Sequence, residues 1–147
     1  MSDNAAIAAA IAGRFSGVAA TGQPTIVEAT EQLPPNIGQP PSLYVFPPEE
    51  PEIQLDSFTR ISLQHYPVRF YLVSEPSQPP DLVALYGWHK ALQDRILTNF
   101  QLGLAGSVAV ARITSIRPGV LTYGGQDFLG LDMVVSVTVS EPIAPVA

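Results

Sequence analysis

The segment LTYGGQDFLGLDMVVSVTVSE, residues 121–141, is the most informative part of this sequence about the fold. It begins with a turn signal, Gly124-Gly125, and continues as a strand in which apolar and polar residues alternate. One side of the strand carries Leu131, Met133, Val135, Val137 and Val139, and the other carries Asp132, Val134, Ser136, Thr138 and Ser140. The alternation predicts an antiparallel sheet with one face on a core and one polar face.

A second strand is predicted before this one, over residues 107–117. The turn-rich segment PGVLTYGGQD joins it to residues 128–140. Apolar residues at spacings of three or four predict a helix over residues 81–100, which Pro79 and Pro80 introduce. A similar spacing of Ile7, Ile11, Phe15 and Val18 predicts a helix near the N-terminus.

The middle of the chain predicts a long strand. Residues 56–75 are rich in β-branched and aromatic side chains, and the apolar positions change phase at Tyr66-Pro67. We expect a β-bulge or a switch of face at that point. Upstream, residues 31–57 form a proline-rich loop, in which residues 42–46 are the only strand candidate and are expected to be a short edge strand.

This order of elements predicts a single α+β domain spanning residues 1–147. We expect an antiparallel β-sheet with two main helices packed on one side, a long strand arm and the proline-rich loop. The N-terminal apolar run follows Asp3, lacks a basic region and is interrupted by Gly13 and Arg14, so it predicts neither an export signal nor a membrane span.

The amino-acid composition argues against several classes of function. The net charge is −6, and the seven basic residues are scattered along the sequence, which argues against phosphate-backbone binding as the main task. The chain has no cysteine, so it has no thiolate nucleophile and no disulfide. With 46% hydrophobic and only 14% charged residues, it is apolar for a soluble monomer, which suggests burial against other subunits.

Candidates for catalysis or metal binding each have a simpler structural explanation. His65 and His89 could act as bases, but both fall on apolar stripes, where a structural histidine is the better interpretation. The acidic run Glu49, Glu50, Glu52 and Asp56 could ligate a cation, although its proline spacers favour a solvated charge run.

The remaining candidates lie near the turn and in the long strand. Asp127 and Asp132 could form a carboxylate pair, but Asp132 belongs to the polar side of its strand. Gly124, Gly125 and Gly130 lack the spacing of a phosphate loop and are interpreted as turn and strand glycines. Tyr66, Phe70 and Tyr71, accompanied only by Arg60 and Arg69, could stack nucleic-acid bases, but core packing or subunit contact is favoured. We expect no catalytic residue, no metal and no cofactor.

Several segments together resemble the tail terminator proteins of long-tailed bacteriophages. They are the alanine-rich first helix, the proline-flanked strand LYVFPP, the long strand, the helix LVALYGWHKALQDRILTNF and the closing ITSIRPGVLTYGGQDFLGLDMVVSVTVSE. The resemblance covers most of the chain and rests on layout and on the pattern of Pro, Gly and apolar positions.

What the resemblance implies is a structural virion protein without enzymatic activity. Such a subunit forms a homo-oligomeric ring, typically a hexamer, at the end of the tail tube in the neck. The ring stops tube polymerisation, binds the tail tube protein and a head-side connector protein for head-tail joining, and lets DNA pass without specific binding. Localisation in the virion after assembly in the host cytoplasm, with no membrane partner, follows from this resemblance.

A ring requires contacts between subunits, and extended segments can supply them by adding to a neighbour's sheet. The subunit-interface candidates are Leu43, Tyr44, Val45, Phe46, Tyr66, Phe70 and Tyr71. The alternative that both segments are internal strands is equally open. Alternatives for function are another head-tail connector or small virion protein, or, in a different class, a small cytosolic ligand-binding or enzymatic α+β domain.

Overall fold

A computed structural model describes residues 4–18, 26, 28–34, 41–48, 52–55, 59–74, 82–98, 101–103 and 108–142. Within them lie two helices, α1 (Asn4–Phe15) and α2 (Leu82–Leu97), and six strands. The strands are β1 (Glu28–Thr30), β2 (Ser42–Val45), β3 (Glu52–Leu55), β4 (Thr59–Ser74), β5 (Val108–Tyr123) and β6 (Gln126–Pro142). The predicted α+β class is confirmed.

The six strands form one sheet in the order β1-β2-β4-β6-β5, and β3 pairs with β4 beside β2. The pairs β2–β4, β3–β4, β4–β6 and β5–β6 are antiparallel. The expectation of a purely antiparallel sheet is wrong, because β1 runs parallel to β2. The long strand β6 lies between β4 and β5, so the sheet is built around it.

Both helices pack on the same face of this sheet. Ile7, Ile11 and Phe15 of α1 and Trp88, Leu92 and Ile96 of α2 belong to one buried cluster. The sheet contributes the odd-numbered apolar residues of β6, from Leu129 to Val139, as the alternation in the sequence predicted. The rings of Phe70 and Trp88 lie 4.6 Å apart at its centre. We call this the helix face and the opposite side the open face.

The two helices are also joined at their C-terminal ends. Arg14 Nη2 donates to the Arg95 carbonyl at 3.1 Å, and Arg95 Nε donates to the Arg14 carbonyl at 2.9 Å. Each guanidinium therefore satisfies a carbonyl oxygen that the end of a helix leaves without an intrahelical partner. This reciprocal pair fixes α1 against α2 over the sheet.

Strand β4 runs without interruption through Tyr66-Pro67, and its register with β6 does not change there. The apolar residues change from one face of the sheet to the other while the backbone continues as a strand. This is the second of the two predicted alternatives, the switch of face. The predicted bulge at this dipeptide is wrong, since the register shift lies between Tyr71 and Val73. On the side of β4 opposite β6, the pairing with β2 ends at Val68 and the pairing with β3 ends at Leu63. Pro67 falls between these two pairings, and a proline is tolerated there because it lacks a backbone N–H.

The segment expected to contain a short edge strand contributes two strands to one side of β4. Ser42–Val45 pairs with the C-terminal half of β4 and Glu52–Leu55 with its N-terminal half. The expectation that the first is an edge strand is wrong, because β1 covers its other side. Sequence reasoning missed the second strand, whose four residues are surrounded by prolines and acidic residues.

The β5–β6 hairpin is tighter than the sequence suggested. The predicted ten-residue connection is instead a two-residue turn at Gly124 and Gly125, both with positive φ angles of 60° and 81°. Positive φ at both positions is what a two-residue hairpin turn requires, and glycine adopts it without strain. Pro118 and Gly119 lie inside β5, where proline is compatible with a strand paired on one side only.

Close approach of two strands explains Gly130. A Cβ atom at this position would lie 1.9 Å from the Phe70 carbonyl oxygen of β4. Because the obstacle is backbone, the strands would have to separate. Gly130 therefore allows β4 and β6 to pair beside the irregularity at Tyr71/Val73.

Replacing Gly130 with alanine is expected to lower the free energy of unfolding by about 3 kcal/mol, since overpacking against backbone cannot be relieved by a rotamer change. Gly119→Ala is the matched control, because Gly119 pairs with Gly130 across the hairpin and a Cβ there meets no atom within 4 Å. We expect its effect to stay below about 0.5 kcal/mol. Denaturant titration of both variants measures the difference, and equal stabilities would contradict this explanation.

Candidate functional surface on the open face and free edge of the sheet

The open face has an aromatic end. Tyr44, Tyr71 and Phe128 form a second buried cluster, against which Leu121 and Tyr123 pack. The Tyr123 ring lies 5.8 Å from the rings of both Tyr44 and Tyr71. A Cβ atom at neighbouring Gly130 would lie 3.3 Å from Leu121 Cδ1. The cluster therefore forms a second, smaller core of the chain.

Residues 28–34 fasten this aromatic end to the rest of the chain. The Tyr44 hydroxyl donates to Glu28 Oε2 at 3.0 Å, and the Tyr123 hydroxyl donates to the Pro34 carbonyl. Burial raises the pKa of Tyr44 to about 12, and the hydrogen bond with Glu28 acts in the same direction. Burial also raises the pKa of Tyr71, while the nearby Arg69 guanidinium lowers it.

A hydrogen-bonded row of polar side chains crosses the middle of the open face. His65 Nδ1 and Ser136 Oγ are 2.8 Å apart, and Ser136 Oγ lies 2.8 Å from Thr114 Oγ1. Ser136 is buried although it belongs to the polar side of β6. Its burial is compensated, because both neighbouring strands supply a partner for its hydroxyl.

A second row contains the charges. Asp132 on β6 is in register with Arg69 on β4 and with Arg117 on β5. The Arg69 Nε to Asp132 Oδ1 distance is 3.8 Å, and the Arg69 guanidinium also lies 5.5 Å from the centre of the Phe46 ring. In the first row, Arg112 holds the position on β5 that Arg117 holds in the second row. It pairs with Ser136, and that row contains no carboxylate.

Strand β5 forms a long edge. Within the part of the chain that the structure describes, β5 pairs with β6 on one side only, along nearly its whole length. Arg112, Arg117 and Val120 are exposed along it. An unpaired edge presents backbone N–H and C=O groups that can pair with another chain. The β5 edge is therefore a candidate binding surface of the described sheet.

The predicted interface residues lie inside the chain. Six of the seven, Leu43, Tyr44, Val45, Tyr66, Phe70 and Tyr71, are at most 1% exposed, and Phe46 is half-buried. Their side chains already pack in the two cores, which favours the alternative that both segments are internal strands. Contact of these residues with a neighbouring subunit stays a prediction.

The other candidates do not converge. Asp127 accepts a hydrogen bond from Thr122 at 2.8 Å, whereas Asp132 lies beside Arg69, so the two aspartates are engaged separately. His89 is half-buried on α2, away from the His65 row. Glu49, Glu50 and Asp56 lie outside the described residues, and Glu52 is described for its backbone in β3 only.

A cleft of about 320 Å³ lies at the C-terminal ends of the helices, lined by Gly17, Val18, Ala91, Asp94, Arg95 and Thr98. Neither histidine lines it. Among the residues that the structure describes, no group of three or more His, Asp or Glu is arranged to hold a metal ion. The described helices include none with the length and apolar character needed to cross a membrane.

No protein-family model matches the chain, and no curated protein matches its sequence. The resemblance to tail terminators therefore stays an interpretation of the sequence.

Tyr44 predicts a pH dependence of stability. Its pKa in the folded chain, about 12, lies above the ordinary value of 10.0, so the unfolded chain loses this proton first. The stabilisation is complete below pH 10.0 and is lost as the pH rises toward about 12. Tyr44→Phe keeps the ring and removes the ionisable group, so stability is expected to fall less steeply in this window.

Denaturant titration across that pH range tests the expectation. Tyr123→Phe is the control, because it removes a hydroxyl from the same cluster and leaves Tyr44 in place. An equally steep fall in Tyr44→Phe and in the unaltered chain would contradict the assignment to Tyr44.

Proposed function

We propose that the protein is a structural virion protein, a bacteriophage tail terminator whose subunits form a ring at the end of the tail tube. In this role the ring stops tube polymerisation and joins the tail to the head. The resemblance in layout supports the proposal, and so does the α+β fold with its large sheet. The observation that carries it is the presence of two unlike edges on that sheet.

One edge is β5, a single strand of sixteen residues. Within the described residues, the opposite side of the sheet ends in two short strands, β1 of three residues and β3 of four. A closed ring with more than two subunits needs two different, complementary surfaces on each subunit. Two unlike edges meet that requirement, since each subunit can offer β5 to one neighbour and its short strands to the other.

Main-chain pairing is a suitable bond for such a ring. A strand that adds to a free edge gains a row of backbone hydrogen bonds, and side chains on alternate positions set the register. The β5 edge also carries features that limit uncontrolled pairing, namely Pro118 and register shifts near Val110 and Thr114. These features favour one specific partner over open-ended aggregation.

The features of the open face favour a binding role over a catalytic one. Its aromatic end is packed against the chain itself, and its centre is a flat row of hydrogen-bonded side chains. The His65–Ser136 pair is the feature that would favour a hydrolytic enzyme instead. Its hydrogen bond uses Nδ1, and Ser136 is buried and shared with Thr114, so the pair is better suited to holding three strands together.

The proposal is tested by mixing the purified protein with tail tubes and measuring mass and tube length. We expect an oligomer of defined mass at the tube end, and tubes that stop lengthening when further tube protein is added. The mixed sample is decisive, since a subunit can be monomeric until it meets the tube. Tubes without the added protein serve as the control. A strict monomer that never joins a tube end would refute the function.

A further inference from the structure

The directions of the strands and the charges on the open face together point to a specific contact between copies. We propose that the β5 edge of one subunit pairs with β1 of a second copy in an antiparallel manner, with Arg112 beside Glu28 of that copy. This inference rests on the proposed ring, because it identifies the strand that pairs with β5 when the ring closes.

Strand direction makes β1 a suitable partner for β5. The pairs β5–β6, β6–β4 and β4–β2 are antiparallel, whereas β1 runs parallel to β2. β1 and β5 therefore run in opposite directions at the two ends of the order β1-β2-β4-β6-β5. A rotation about an axis along the strands leaves every strand direction unchanged. In a ring built by such a rotation, β5 of one subunit meets β1 of the next as an antiparallel pair.

Both arginines of β5 lie on the open face. Arg112 is in register with Ser136 on β6, and Arg117 is in register with Asp132. The arginines are five residues apart and their partners are four apart, because the register shifts within residues 113–115. Both arginines are exposed, and β5 contains no acidic residue. The edge therefore presents only positive charge on the open face.

Glu28 carries the complementary charge on β1. It is exposed, and its Oε2 accepts the hydrogen bond from Tyr44 of the aromatic cluster, so its carboxylate lies on the open face. The second carboxylate oxygen can accept a hydrogen bond from a guanidinium while Oε2 stays bonded to Tyr44. Because the same rotation keeps the open faces of neighbours on one side, Glu28 and Arg112 can meet across the pair.

Arg112 is the arginine that we assign to this contact. In the described part of the chain it forms no ion pair, and neither Ser136 nor His65 in its row is acidic. Arg117 differs, since it is in register with Asp132. An exposed arginine without an acidic neighbour gains most from a carboxylate on a docking strand.

Charge also disfavours the symmetric alternative, in which β5 pairs with β5 of a second copy. Two such strands related by a two-fold axis are antiparallel. If the axis passes midway between the arginines, Arg112 of one copy lies opposite Arg117 of the other, and if it passes through either arginine, that residue lies opposite itself. Like charges directly opposite each other destabilise a sheet. The contact is therefore expected between unlike strands.

Two substitutions test the contact. Arg112→Glu places like charges against each other and is expected to weaken self-association at least about tenfold. Glu28→Gln removes the charge and keeps an oxygen that can accept from Tyr44, so alone it should weaken association about threefold. In the Arg112→Glu background the same substitution relieves a repulsion, so it should strengthen association.

Sedimentation over a concentration series, alone and with tail tubes, gives the measurement, and both effects should shrink at high ionic strength. General charge repulsion predicts a different result, since Glu28→Gln removes one negative charge from a chain with net charge −6 and would then strengthen association in both backgrounds.

Asp94→Asn is the matched control. It changes the net charge as much as Glu28→Gln does, but Asp94 lies on α2, where it pairs with Lys90. The inference predicts that this control neither weakens association in the unaltered chain nor restores it in the Arg112→Glu background. Circular dichroism of every variant establishes that the fold is intact.

The outcomes separate the two proposals. If the unaltered chain forms rings and Arg112→Glu forms them equally well, the β5–β1 contact is refuted while the ring remains. If Glu28→Gln acts in the same direction in both backgrounds, or acts no differently from Asp94→Asn, the pairing of Glu28 with Arg112 is refuted. If the unaltered chain never associates, even with tubes present, the ring itself is refuted and the contact with it.

Discussion

Burial of one side of β6 determines how the other described strands and helices are arranged. Six apolar side chains from Leu129 to Val139 face the helices, and burying each contributes about 1.5–3 kcal/mol. A one-residue slip would turn all of them toward the open face, so the register of β4 and β5 against β6 is fixed. Both helices then pack on the apolar face of the sheet. The open face and the edge of β5 remain outside that packing.

The same constraint explains which elements could be predicted. The alternation of β6, the stripe of α2 and the glycine turn are local patterns, and the structure confirms them. The parallel β1, the second strand β3 and the continuous path through Pro67 depend on which segments become neighbours in the sheet. Pro67 suggested an interruption of β4, but a strand tolerates proline where the position is paired on one side.

The residues of the candidate surface also divide into those that local sequence patterns identify and those that only the assembled sheet identifies. Aromatic residues in extended segments suggested subunit contacts, yet Tyr44, Tyr66, Phe70 and Tyr71 are the large side chains with which this chain fills its own cores. The edge strand β5 could be located only from the pairing of whole strands, because pairing partners are not a local property of the sequence. Ser136 is a similar case, because it belongs to the polar side of β6. Its burial is explained only by its contacts with His65 on β4 and Thr114 on β5.

The proposed ring requires that copies of this chain join through the edge of β5 that has no partner strand among the described residues. Amide hydrogen exchange of residues 108–123, compared between the isolated chain and the assembly on tube ends, tests it most directly. Exchange in β5 should slow markedly on assembly, whereas β6, paired on both sides, should exchange slowly in both states. Unchanged exchange in β5 on assembled subunits would contradict the claim.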